Sequence, residues 1–353
     1  MEVTGWLLNL SMGFLADRVM LLRYKGATTD SKPLPGGGPQ GTLLGLLLFL
    51  VLINECGFEN KEPKIGEMIT QKKKPFQSPT LHTKYVDDLT LLEAINLKEG
   101  LIPNPDRPLP DPYHARLGLK LDETKSKVYS KIEDVRKYAN QNEMKLNVDK
   151  CKFMIFNPTV NFDFVPNLDI EGTQIETMEE MKLLGLTIRN DLKWKSNTNE
   201  IVKKGYKRLW MVKRLKNNGA NLEDLIEVYT KQIRSILELG VPVWNGSLTK
   251  SESHDIERVQ KAFLHIALGS EYQSYDSALA RSKLATLESR RLQLCIKFAK
   301  RCAKHPKHKA WFKPNENLPQ TRSTKPNMKE PLYRLTRFRD SPIPYLTNLL
   351  NSK

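Results

Sequence analysis

Apolar residues recur along this chain in two rhythms, and the change between them falls near residue 190. Before it, short apolar runs are separated by glycine and proline breakers. Residues 3–15 and 16–25 predict a helix leading into a strand. Residues 31–38 (SKPLPGGG) form a breaker cluster, and residues 39–54 predict an apolar helix. Residues 57–80 are polar, with Lys72, Lys73 and Lys74 in a row, and read as a loop insertion. The segment 82–92 (HTKYVDDLTLL) reads as strand, Asp-Asp, strand. Residues 101–114 hold five prolines, which excludes a helix or a central strand. Val128, Ile132, Val135 and Ala139 recur at four- and three-residue steps and mark one helical face. LNVDKCKFMIF (146–156) and MKLLGLTI (181–188) predict further strands, the second with Gly185 at its centre.

From residue 197 the pattern is helical throughout. Leu209, Val212 and Leu215 mark one helix, and Leu222, Leu225, Ile226, Tyr229, Ile233, Ile236 and Leu237 a second. Ile256, Val259, Phe263 and Ile266 mark a third, and residues 286–303 a fourth, studded with Arg290, Arg291, Lys297, Lys300 and Arg301. The elements do not alternate as repeated βαβ units, so the expected class is α+β, followed by an all-helical module. The expected domains are 1–190, 191–310 and a basic, proline-rich, partly disordered tail, 311–353.

Charge sharpens this division. The net charge is +16. Residues 1–190 hold 24 Lys and Arg against 25 Asp and Glu, whereas residues 191–353 hold 32 against 15. A basic half beside a near-neutral half suggests a polyanion held next to a separate chemical core. The four cysteines show no paired framework, and Glu2 stands where a signal peptide would carry Lys or Arg. An intracellular protein, nuclear or cytoplasmic and not secreted, is expected. The apolar run 43–53 falls well short of the ~20 residues that span a bilayer, so no membrane partner is expected.

Asp87 and Asp88 raise the chemical question. Two like charges about 4 Å apart repel by roughly 4 kcal/mol at an effective dielectric near 20. A cation or full solvation offsets that. Neighbouring side chains of a straight strand point to opposite faces, so both acids can serve one site only at a turn or bulge. Carboxylate oxygens are the ligands Mg²⁺ prefers, and a solvated hairpin turn accommodates the same dipeptide. A second cluster, GGGPQG at 36–41, runs into a helix start, where backbone N–H groups can approach a phosphate or base closely.

The two clusters in this order resemble motifs B and C of reverse transcriptases. KYVDDLTLLEAINL (84–97), the helix after it, NEMKLNVDKCKFMIFNP (142–158) and EEMKLLGLTI (179–188) look like motifs C, D and E in sequence. RSILELGVPVW (234–244) and IERVQKAFLHIALG (256–269) resemble the thumb of non-LTR retrotransposon reverse transcriptases of the jockey and related groups. The likeness covers roughly residues 5–313.

The resemblance implies an incomplete polymerase palm over 1–190, a helical thumb over 191–310, and RNA-directed DNA synthesis. The partners implied are an RNA template and DNA primer, or other single-stranded or hybrid nucleic acid. Asp87 would ligate two Mg²⁺ ions with help from Asp88. Tyr85 would pack near the primer end, and Gly37, Pro39, Gln40 and Gly41 would line the template–nucleotide pocket. Lys150 is a candidate proton donor to pyrophosphate and equally fits a solvated lysine. The Leu184-Gly185 turn would belong to the primer grip.

Gly38 departs from the family's small or branched apolar residue, and Leu46 from its common proline. The larger departure is at motif A. Only 36 residues precede Gly37, and Glu2, Asp17 and Asp30 do not stand in a motif A context. Asp87 and Asp88 then make two-thirds of a metal site, holding at most one ion weakly. A truncated reading of a longer gene, an element relic or a non-catalytic nucleic-acid-binding fragment is expected, inactive as this chain. The hairpin should carry both acids at its tip, on the side of the Gly37–Gly41 loop, beside a sheet lacking its central strand.

Two further patterns are weighed. Cys295, Cys302, His305 and His308 are not spaced as a recognised zinc finger, and the cysteines, two helical turns apart, fit a packed face. Trp194, Trp210 and Trp244 could stack on bases, but Trp210 sits among helix-core positions and is expected to pack inside.

Overall fold

The computed structural model describes residues 12, 16, 18–24, 26–34, 80–85, 88–93, 101–103, 119–121, 126–156, 168–306, 308–315, 328–333 and 336–352. They make a mixed α and β protein with small antiparallel sheets. They divide into two compact units, the first ending at Asn147 and the second beginning at Val148, with Pro103 and Leu119 counted to the second. Packing therefore divides the chain earlier than residue 190: the segment before the helices belongs with them.

In the first unit, β1 (Val19–Met20) pairs with β4 (Lys32–Pro33), enclosing β2 (Arg23–Tyr24) paired with β3 (Ala27–Thr28). Apart from Met12, which is helical, the helix expected at 3–15 lies outside the described residues, as do the helix at 39–54 and residues 57–79 of the expected loop. β5 (Thr80–Tyr85) and β6 (Asp88–Glu93) form an antiparallel hairpin whose last pair is Tyr85 opposite Asp88. β7 (Leu101–Pro103) pairs with β8 (Leu119–Leu121).

Helix α1 (Lys127–Gln141) begins at Ser126 and buries Ala139. Its N-terminus is held by a residue far away in sequence. The Glu93 carboxylate accepts hydrogen bonds from Ser126 Oγ (2.8 Å), Lys127 N (3.1 Å) and Val128 N (3.0 Å). A carboxylate there satisfies orphan N–H groups and meets the positive end of the helix dipole. It also ties α1 to the end of β6.

The second unit opens with a 3₁₀ turn, Val148–Lys150. The strand expected over 146–156 is absent; Phe153 alone pairs, in a parallel bridge to Thr177. β9 (Asp169–Ile170) pairs with β10 (Thr173–Gln174), and β11 (Glu180–Leu183) with β12 (Leu186–Arg189). The stretch 181–188 is thus not one strand but a hairpin bent at Leu184-Gly185.

The helices follow: α2 (Lys195–Asn217), α3 (Leu222–Val228), α4 (Ser235–Leu237), α5 (Val241–Trp244), α6 (Lys250–Leu268), α7 (Tyr275–Ser282) and α8 (Leu287–Lys304). Between α3 and α4 the chain makes a π-helical turn, Tyr229–Arg234. Leu225, Tyr229, Ile233 and Leu237 are all fully buried at steps of four. Four residues overrun an α-helical turn by about 40°. The wider turn absorbs that drift and keeps all four side chains facing the core. Tyr229 stacks on Phe263 of α6 with ring centroids 4.1 Å apart. A capping box starts α6: Glu252 N donates to Thr249 Oγ1 (3.2 Å), and Thr249 N donates to the Glu252 carboxylate (2.8 Å).

The C-terminal segment is not wholly a loose tail. After α9 (Thr336–Arg339), helix α10 (Pro342–Asn351) packs against α8 and buries Leu346 and Thr347. Both prolines of α10, Pro342 and Pro344, stand in its first turn, where a missing N–H costs nothing. Asn245 Nδ2 donates to Tyr345 OH (2.8 Å), and Asn351 brackets the Met328 backbone at 2.7 and 3.0 Å. Among the described residues no helix is long and apolar enough to cross a membrane.

The core is centred on α2 against α6. Ile201, Gly205, Leu209 and Val212 form the buried stripe of α2. At Gly205 the helices come so close that an added Cβ would lie 3.0 Å from Val259 Cγ1 and 3.2 Å from Leu237 Cδ2. Gly205→Val is therefore expected to overpack the crossing and lower stability by about 1–3 kcal/mol, read as a lower denaturant midpoint at unchanged slope. Unchanged stability would mean the two helices are not in contact there.

Candidate functional site

Three of the sequence-selected groups fall on described elements. Asp88 opens β6 with its side chain exposed, directly across the ladder from Tyr85. The connection Val86-Asp87 lies outside the described residues, as do Gly37, Pro39, Gln40 and Gly41, so the expected shared side of hairpin and glycine loop is not described. The β5–β6 ladder has two strands among the described residues. Lys150 closes the exposed 3₁₀ turn at the start of the second unit.

Carboxylate oxygen is the right donor for Mg²⁺. Among the described residues, however, no group of three or more His, Cys, Asp or Glu is placed to hold a metal. Asp88 supplies one exposed carboxylate; Asp87, the other expected ligand, lies outside the described residues. Cys295 and Cys302 are buried in the packed face of α8, and the His305 and His308 rings stack at 4.8 Å beyond its end.

Leu184 and Gly185 form the two-residue turn between β11 and β12. Both have positive φ, +49° and +84°, the geometry of a type I′ turn. Gly185 suits it. Leu184 does not: a left-handed leucine costs roughly 1–2 kcal/mol, and its side chain is 52% exposed, so burial does not offset the strain. A strained, exposed apolar tip is a functional candidate.

Glu200 of α2 fixes that hairpin. Its carboxylate pairs with Lys182 of β11 (2.6 Å) and Lys204 of α2 (2.9 Å) and accepts the Thr187 hydroxyl of β12. Thr187 N donates to the buried Asn197 Oδ1 (3.2 Å). The Lys182 and Thr187 hydrogen bonds, then Lys204, hold the Glu200 carboxyl down at about 2, outweighing its desolvation.

The tryptophans separate cleanly. Trp194 and Trp244 are buried; Trp210 is 57% exposed. The expectation that Trp210 packs inside is overturned. The buried stripe of α2 lies on the opposite side of the helix, and its smallest member, Gly205, hides the stripe from a hydropathy reading. Sequence reasoning also missed Glu93 and Glu200, whose partners across the fold leave no local pattern, and Tyr206, exposed one turn from Trp210.

No protein-family model matches this chain, and no curated protein does.

Two measurements follow from this geometry. Leu184→Asn should raise stability by about 1 kcal/mol, because asparagine tolerates the left-handed region; a drop in melting temperature would contradict the strained turn. Glu200→Gln should destabilise the protein at neutral pH. Because Glu200 has a depressed folded pKa, its contribution is fully present above its ordinary value near 4.5 and is lost as pH falls toward 2. The stability gap between wild type and variant should therefore close over that window in acid titration. A gap independent of pH would exclude the charge pairing as its source.

Proposed function

We propose that the chain is a palm-and-thumb portion of a reverse transcriptase of the non-LTR retrotransposon type, the jockey-like group. In this reading its ancestral chemistry is RNA-directed DNA synthesis, a nucleotidyl transfer. The observation that carries the reading is the hairpin pairing Tyr85 with Asp88 across a two-residue connection, in a chain whose other motifs follow in family order. Asp87 and Asp88 would then supply Mg²⁺ ligands, with Gly37, Pro39, Gln40 and Gly41 lining the pocket and the Leu184-Gly185 turn gripping the primer. Glu93 would steady the acidic hairpin by pinning α1 to its second strand.

Within these 353 residues no acid stands in a motif A context. Two-metal transfer needs ions about 3.5–4 Å apart to clamp the attacking and leaving oxygens, and two adjacent acids hold one hydrated ion without fixing a second in register. A second reading, a non-catalytic nucleic-acid binder derived from such an element, is favoured by the excess of basic residues in 191–353. The two agree that these residues by themselves bind a polyanion and do not polymerise.

Primer extension on an RNA template with Mg²⁺ or Mn²⁺ tests this. The 353-residue chain should give no extension, and Asp87→Asn should be indistinguishable from it. Robust synthesis that Asp87→Asn abolishes would overturn the incomplete-site reading and would point to Asp17 or Asp30 as the further acid.

A further inference from the structure

Helix α2 turns two different faces outward and inward. Inward lie Ile201, Gly205, Leu209 and Val212. Outward, at three- and four-residue steps, lie Lys203, Tyr206, Lys207, Trp210, Lys213 and Arg214, all exposed. Positions three and four apart are neighbours on a helix surface, so the six make one continuous stripe of about three turns. Two of its members are large aromatics, Tyr206 at 40% and Trp210 at 57% exposure. Four are cations. Three other cations of the helix are engaged: Lys204 pairs with Glu200, Arg208 donates to Gln232 O, and Lys216 donates to Ala267 O near the α6 C-terminus. Among the described residues no carboxylate pairs with Lys203, Lys207, Lys213 or Arg214.

We infer that this stripe is a binding platform for single-stranded nucleic acid, with Tyr206 and Trp210 stacking on unpaired bases while Lys203, Lys207, Lys213 and Arg214 neutralise phosphates. The inference rests on the proposed nucleic-acid function and narrows its partner to unpaired strands. Cations alone would track any phosphate backbone, duplex included. Exposed rings at i and i+4, about 6 Å apart along the axis, add something a closed duplex cannot use, because its base faces are already stacked. Every base offers a π-face, so the platform has little sequence preference. Both rings stand on the side of α2 away from its core stripe.

The test is fluorescence anisotropy with the full chain and labelled 12-mers, oligo(dT), oligo(rU) and a mixed-sequence DNA duplex, over a salt series, with anionic phosphatidylserine vesicles as a further arm. Both single strands should bind more tightly than the duplex. Trp210→Ala should weaken single-strand binding about tenfold at unchanged melting temperature and salt slope, while Trp210→Phe retains most of the affinity. Replacing the four cations by Gln should lower the slope of log K against log salt by about 2.8, four contacts at about 0.7 each. If Trp210→Ala binds like wild type, or the duplex competes equally, the platform is wrong while a nucleic-acid function stands. Absence of salt-dependent binding to any oligonucleotide, or binding to vesicles alone, overturns both.

Discussion

The close crossing of α2 and α6 at Gly205 is the constraint on which the second unit depends. Without a side chain at that position, Val259 and Leu237 come within 3.0–3.2 Å of where a Cβ would stand, and Ile201, Leu209 and Val212 fall into register behind it. Once that stripe is buried, the rest of α2 is fixed by its 3.6-residue period. Glu200 and Asn197 meet the β11–β12 hairpin, and the aromatic and basic positions face outward. One contact thus orients both the strained Leu184 tip and the stripe carrying Trp210.

Charge in this unit divides between structure and surface. Arg290 forks onto Glu238 of the segment after α4, with Nη2 to Oε2 at 2.9 Å. Arg291 is only 2% exposed and donates to Asn245 Oδ1 (3.0 Å) and Ser253 Oγ (2.5 Å), with its Nη1 unpartnered. Burial lowers its pKa, yet arginine keeps its charge. Through Asn245, which also reaches Tyr345, this cation helps seat α10. The basic excess counted from the sequence therefore overstates what a phosphate can meet on α8. On α2 Lys204, Arg208 and Lys216 are likewise engaged, while Lys203, Lys207, Lys213 and Arg214 stay exposed.

What was legible in the sequence follows from how local each cause is. The apolar periods of 197–303 name the helices, since burial repeats every turn. Tyr85-Val86-Asp87-Asp88 between two β-type runs names the hairpin, since turn and strands are contiguous. The outward face of Trp210 was present in the spacing of Ile201, Gly205, Leu209 and Val212, but glycine carries no hydropathy signal. The hold of Glu93 on α1 and of Glu200 on β11–β12 spans the fold and could not be read locally. Helix α10 was hidden by two prolines that count against a helix everywhere except in the first turn, where they stand. The stretch 146–156 has apolar residues for a strand, but only Phe153 finds a bridging partner.

The central claim, that the outward face of α2 meets an unpaired strand, is tested most directly by photocrosslinking. The full chain would be irradiated with a 4-thiouridine oligonucleotide and the adducts mapped by peptide mass spectrometry. The account predicts that adducts concentrate on the α2 peptides bearing Tyr206 and Trp210 and disappear at high salt. Adducts spread over α8 and the C-terminal segment, with none on α2, would contradict it.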